Sequence, residues 1–180
     1  TPPDSILSPS KWQQFWHLRI PINARNTWYR FLHRKISSRQ RLHGFQPDIF
    51  DPYCPLCHKP NSRRNPAHIE NNQHFMYACP QKILVWTTAV VHYIDPTLDH
   101  FNFLHYYDIL TLRTNITRTT SVPFPSLSVY QVFSVVLQAI WTAHYRFVFL
   151  EIPFVPLQVL SSIHKALAYL EHEENLHLEI

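Results

Sequence analysis

Glycine occurs once in 180 residues, at Gly44, against 15 prolines. One glycine cannot build a glycine-rich phosphate loop or a dinucleotide fingerprint, which need several for close backbone approach. Nor does it suit an all-β fold, whose tight hairpins draw on glycine for positive φ. Carboxylates are scarce too. Between residues 83 and 170 there are only Asp95, Asp99, Asp108 and Glu151, and a two-metal centre needs paired carboxylates. Pro47-Asp48 lacks the downstream Asp-x-Lys or Glu-x-Lys of a nuclease motif. No Ser/His/Asp or Cys/His arrangement is signalled, because 13 histidines make many pairs by chance. The longest apolar run, Ser126 to Leu150, could span a bilayer by length. Gln131, Ser134, Gln138, Thr142, His144 and Arg146 interrupt it, so it reads as a core helix and not a membrane span. From Thr1 onward there is no charged and apolar leader pattern, and the chain reads as a segment excised from something longer.

What is present is apolar and aromatic. Hydrophobic residues make up 46% and aromatics 14%, enough for a sizeable core. The expected fold is mainly α: a small helical domain with an embedded zinc knuckle and few or no β-strands. Ser8-Pro9 reads as a helix start, with Trp12, Phe15 and Trp16 on one face. Asn23 is the expected cap of a second helix, with Ala24, Trp28, Phe31, Leu32 and Lys35 on its inner face. Ser37 or Ser38 starts a third, stopped by Gly44. Pro80 opens a helix to Ile94 in which Ile83, Trp86 and Val90 recur. Leu98, Phe101, Leu104 and Ile109 suggest another. A last helix after Pro156 turns Leu157, Leu160, Ile163, Leu167 and Leu170 inward. The segment 58–73 reads as an exposed polar insert, and 111–125 as a loop. Residues 8–95 form a basic helical lobe carrying the knuckle, and 96–180 an aromatic helical region packing on it as one unit.

The three cysteines are Cys54, Cys57 and Cys79. With His74 they make a Cys-x2-Cys then His-x4-Cys pattern. Four such ligands complete a tetrahedral zinc shell and leave no position for water or substrate, so one structural zinc ion is expected. Cys79 sits at the start of the Pro80 helix, where unpaired N–H groups stabilise a thiolate. The plain alternative is three buried free thiols. The histidine is the open choice, since His58 and His68 also lie in the 16-residue spacer between Cys57 and His74. Cysteines matched to a metal imply a reducing intracellular compartment, nuclear or cytoplasmic and not secreted.

Charge is divided unevenly. Residues 1–82 carry a net +8 and residues 83–180 a net −4. Between Lys11 and Arg41 there are eight basic residues and no acidic one. That is the pattern of a polyanion-facing surface. Arg25, Arg30, Arg34, Lys35, Arg39 and Arg41, with Arg63 and Arg64 in the insert, are the candidate phosphate contacts. Trp28, Tyr29 and Tyr53 are candidates to stack on bases, against a plain reading of core packing. Core packing is favoured for Trp12, Trp16, Trp28, Trp86 and Trp141.

Trp12-x2-Phe15-Trp16-x-Leu18-x-Ile20-Pro21, then Trp28-Tyr29-Arg30-Phe31-Leu32-His33 and Leu42, resembles the lead-in to the reverse transcriptase zinc-binding domain. That domain lies downstream of the polymerase in LINE-type (non-LTR) retrotransposon proteins, and the flavour here is closest to fungal elements. Its core of Cys-Pro-x-Cys, a spacer, His-x-Phe-x2-Cys-Pro and x5-Trp is matched at Cys54-Pro55-Leu56-Cys57, His74, Cys79-Pro80 and Trp86. Here the residue after the histidine is Phe75. Ala139-Ile140-Trp141-x2-His144-Tyr145-Arg146-Phe147-Val148-Phe149 resembles the downstream segment, so the likeness covers about residues 8–155. The spacer is longer than in many members, which keeps His58 and His68 open as rival ligands. Tyr106-Tyr107-Asp108 has the look of a polymerase palm turn, but Ile109 stands where a second Asp is needed. The resemblance implies a non-catalytic module of an RNA-directed DNA polymerase. Its partners would be RNA or DNA backbone and the polymerase domain of the same polyprotein. The rival expectation is a zinc-stabilised structural or protein-interaction module.

Overall fold

The computed structural model describes residues 6–98 and 103–179. Among these residues there are seven α-helices and no β-strand. They are α1 (Pro9–His17), α2 (Ile22–Leu32), α3 (Arg39–Phe45), α4 (Pro80–Tyr93), α5 (Phe103–Leu110), α6 (Val129–Leu150) and α7 (Pro156–Leu178). A 3-10 turn, Pro66–His68, and a π turn, His74–Ala78, lie between α3 and α4. A single antiparallel bridge joins Tyr53 and Ile69.

Serine hydroxyls start three of the helices. The Ser8, Ser38 and Ser128 oxygens accept from the backbone N–H of Lys11, Arg41 and Gln131. Gln131 also reaches back to the Ser128 N–H at 2.8 Å, completing a capping box worth about 1 kcal/mol. Asn23 does not cap α2. The helix begins a residue earlier, at Ile22 after Pro21, and has no side-chain cap. Lys35 lies beyond the end of α2, in a turn where Arg34 takes φ 52°. Ile36 fills the buried position instead. Gly44 falls inside α3 and does not stop it. Of the helix expected across Leu98 to Ile109, Phe101 lies outside the described residues.

α6 is the centre of the core. Every residue from Val129 to Leu137 is buried, so this half has no polar face. Length and composition alone would let α6 cross a membrane, yet here its first half packs against α2, α4 and α7. α2 contributes Trp28, whose indole N–H donates to the Leu110 carbonyl at 2.8 Å. α4 contributes Trp86, whose N–H donates to Met76 O at 2.9 Å. Both indoles thus satisfy their one polar group while fully buried. Val159, Ile163, Leu167 and Leu170 form the inner face of α7. Leu157 is 78% exposed, because that face passes through Val159, two residues on. On α4 the buried face likewise runs through Lys82, Val85, Trp86, Ala89, Val90 and Tyr93, leaving Ile83 half-buried.

Arg118 organises the 111–125 loop. Its guanidinium donates to the carbonyls of Tyr93, Phe124, Leu127 and Pro123 at 2.5–2.7 Å. It thereby ties the end of α4 to the approach to α6. Charged donors contribute about 1.5–3 kcal/mol each, and abandoned buried acceptors cost about 1–3. Arg118→Ala should lower unfolding free energy by about 2–3 kcal/mol, a melting shift of roughly 4–12 °C. Arg118→Lys should recover little of it, because an ammonium cannot span the four carbonyls. Thermal unfolding followed by circular dichroism checks both.

Candidate metal centre

Two short pieces of chain make the site. The first is the turn at Cys54–Cys57. Cys54 N–H donates to His68 O at 2.8 Å and Glu70 N–H to Pro52 O at 2.9 Å. These bonds flank the Tyr53–Ile69 bridge and fix the turn to the far end of the spacer. The second is the π turn His74–Ala78, closed by Cys79 N–H on His74 O at 3.2 Å. Its wide five-residue loop brings His74 and Cys79 to one side; π turns recur at functional sites. Asn71 Oδ1 holds the His74 N–H at 2.7 Å. Cys79 is the cap residue of α4. Gln81 Nε2 donates to Leu56 O at 3.1 Å, linking the two pieces.

The side chains of Cys54, Cys57, His74 and Cys79 converge, with all four ligand atoms within 4.8 Å of one another. Cys54 Sγ and Cys79 Sγ are 3.9 Å apart, and Cys57 Sγ is 3.3 Å from His74 Nε2. A zinc tetrahedron with bonds near 2.3 Å to sulfur has edges of roughly 3.8 Å. The sulfur–sulfur distance is nearly twice a disulfide bond length, and all three cysteines are free. Cys54, His74 and Cys79 are buried and Cys57 half-buried. The donor set and spacing fit one zinc ion. His58 and His68 stand elsewhere. The His58 ring stacks on Tyr53 at 4.4 Å, and His68 meets His58 edge-on.

The thiols are electrostatically unequal. The hydrogen bond from Cys54 holds the Cys79 thiol below the usual range, and the Lys82 ammonium adds to this. That same bond and burial push Cys54 up. Burial, with Cys54 close by, pushes Cys57 up to about 12. Three thiolates this close coexist only when a cation shares them.

No family model, curated protein or solved structure matches this chain. Its site geometry and its own residues carry the functional reading.

Beneath the thiols lies a buried polar trio that the sequence reading missed. Lys82, Glu70 and His144 are each 2% exposed or less. Lys82 Nζ donates to Phe75 O and sits 3.0 Å from His144 Nδ1. His144 Nε2 faces Glu70 Oε2 at 3.7 Å. The other Glu70 oxygen accepts the Arg39 N–H at 2.9 Å. Burial, with Lys82 beside it, holds His144 well below its ordinary range, which favours the neutral ring between Lys82 and Glu70. Burial pulls Lys82 below its ordinary range and pushes Glu70 above its own, and each charge opposes the shift of the other. One signal was available: Lys82 shares the helical face of Trp86, Ala89 and Tyr93. Glu70 had none, because the 58–73 segment is polar throughout and its burial depends on contacts with α3 and α6.

The expected phosphate contacts divide. Arg25 turns inward: its guanidinium donates to Phe15 O at 2.8 Å and also to Leu18 O, capping the end of α1. It lies over the Phe15 and Trp16 rings. Arg30, Arg34, Lys35, Arg63 and Arg64 are exposed, and Arg39 and Arg41 half-exposed. Among the described residues none of these seven forms an ion pair with a carboxylate. Of the five tryptophans, Trp28 and Trp86 are fully buried and Trp12 and Trp141 partly so, but Trp16 is 53% exposed. It follows Phe15 directly, and one residue round α1 is enough to leave the core.

Native mass spectrometry should find one zinc per chain. His74→Ala should lose the ion, while His58→Ala and His68→Ala keep it. Retention in the first and loss in either of the others would move the fourth ligand.

Proposed function

We propose that the chain is a non-catalytic zinc-binding module of a retrotransposon reverse transcriptase, which helps hold template RNA or target DNA through its basic N-terminal face. The observation that carries this reading is the convergence of Cys54, Cys57, His74 and Cys79 in a chain whose Arg30, Arg34, Lys35, Arg39 and Arg41 form no carboxylate ion pair among the described residues. The motif resemblance around those ligands supplies the parent protein, an RNA-directed DNA polymerase working inside the cell. The zinc is structural, because four protein ligands close its shell. Its binding energy, of order 10–16 kcal/mol in small zinc modules, sets the knuckle against α4. The cations then meet phosphates, contacts that position a strand without reading its sequence.

A protein-docking reading has one observation in its favour. Leu150 and Leu157 are exposed at the α6–α7 corner, an apolar edge suited to the polymerase domain of the same polyprotein. Charge separates the two readings. Five phosphates neutralised give a log–log salt slope of about −4.5 on duplex and −3.5 on single strands. The zinc-loaded chain should show such a slope. Reversing Arg30, Arg34 and Arg39 to Glu should abolish binding with the circular dichroism spectrum intact. Unchanged binding in that variant would favour docking.

A further inference from the structure

Three aromatic residues stand in a row on α6: Trp141, Tyr145 and Phe149. Their spacing of four places them on one helical face, about 6 Å apart along the axis. The rings touch in sequence. Trp141 and Tyr145 centroids are 4.6 Å apart, and Tyr145 and Phe149 lie nearly parallel at 5.5 Å. The row rests on Phe75, whose ring lies 5.8 Å from Trp141 and 5.6 Å from Tyr145. Phe75 is fully buried and directly follows the metal-site residue His74. Tyr145 is fixed at its other end by donating to Ser37 O at 3.3 Å.

A cation flanks the row: the Arg30 guanidinium lies over the Trp141 ring at 5.7 Å. Phe149 at the open end of the row is 74% exposed. Past Arg39 the surface falls into a cleft of about 890 Å³ whose walls include Phe147, Tyr53 and Arg64. Asp48 and Asp51 also line it; carboxylates there suit base amino groups and not phosphates.

We infer that the Trp141–Tyr145–Phe149 row, with Arg30 over its first ring, is a stacking platform for an unpaired nucleic-acid strand. The guanidinium takes the backbone and the exposed ring takes a base. A duplex offers the row little, because its base faces are spent on each other, whereas every unpaired base has a free π-face. This rests on the reading that the chain binds nucleic acid, and narrows it to single strands.

The test measures anisotropy of fluorescein-labelled U15, dT15 and a 15-base-pair duplex with the zinc-loaded chain. Phe149 is at the surface, so its variants keep the fold. Phe149→Ala and Phe149→Leu should weaken U15 or dT15 binding roughly 5- to 100-fold and leave duplex binding unchanged. Phe149→Trp should restore the single-strand affinity. Wild-type affinity of Phe149→Ala for all three probes, or an equal loss on duplex and single strands, overturns the platform but not nucleic-acid binding. Failure of the wild-type chain to bind any probe overturns both.

Discussion

Three thiols and an imidazole drawn towards one point hold together two pieces of chain that have little else in common. The 54–57 turn belongs to a polar segment with no hydrophobic core of its own. The His74–Cys79 turn leads into α4, which is anchored in the core by Trp86 and Val90. A shared cation would make such close approach favourable for three thiolates. Such a cation would order residues 52–70, while α2, α6 and α7 bury apolar surface of their own.

The ligand cluster connects inward through two residues close to it in the chain. Lys82, three residues after Cys79, places its ammonium under the thiols and hands a hydrogen bond to His144. A buried charge of this kind needs close partners, and Phe75 O and His144 Nδ1 supply them. Phe75, one residue after His74, supports Trp141 and Tyr145. Thus the zinc knuckle and the aromatic side of α6 share a foundation. The basic helices α2 and α3 join the same structure through Ser37 O and the Arg39 N–H. A site with no room for substrate can therefore shape a surface some distance from it.

Much of this was legible from local signals. Ligand spacing marks the knuckle, and Ser8-Pro9 and Ser38 mark two helix starts, because caps and Cys-x2-Cys turns are decided within a few residues. What failed was non-local. Arg25 looks like any other cation in a basic run, yet its partners are carbonyls at the end of the preceding helix. Arg118 sits in a loop by composition, yet it gathers four carbonyls from two segments, the end of α4 and residues 123–127. Glu70 lies in a polar stretch and is buried only because that stretch pairs with residue 52 and meets α3. Leu157 and Ile83 show the smaller failure of phase, where an apolar residue misses the buried face by one or two positions. Asn23 shows the same at a boundary, since Pro21 can open a helix without any side-chain cap.

Zinc K-edge X-ray absorption on the purified chain tests the central claim most directly, because it counts the atoms bound to the metal. Three sulfurs near 2.3 Å and one nitrogen at about 2.0–2.1 Å, with no further oxygen, are expected. Fewer than three sulfurs, or a bound water oxygen completing the shell, would contradict a closed structural site and the support it gives to the surface above.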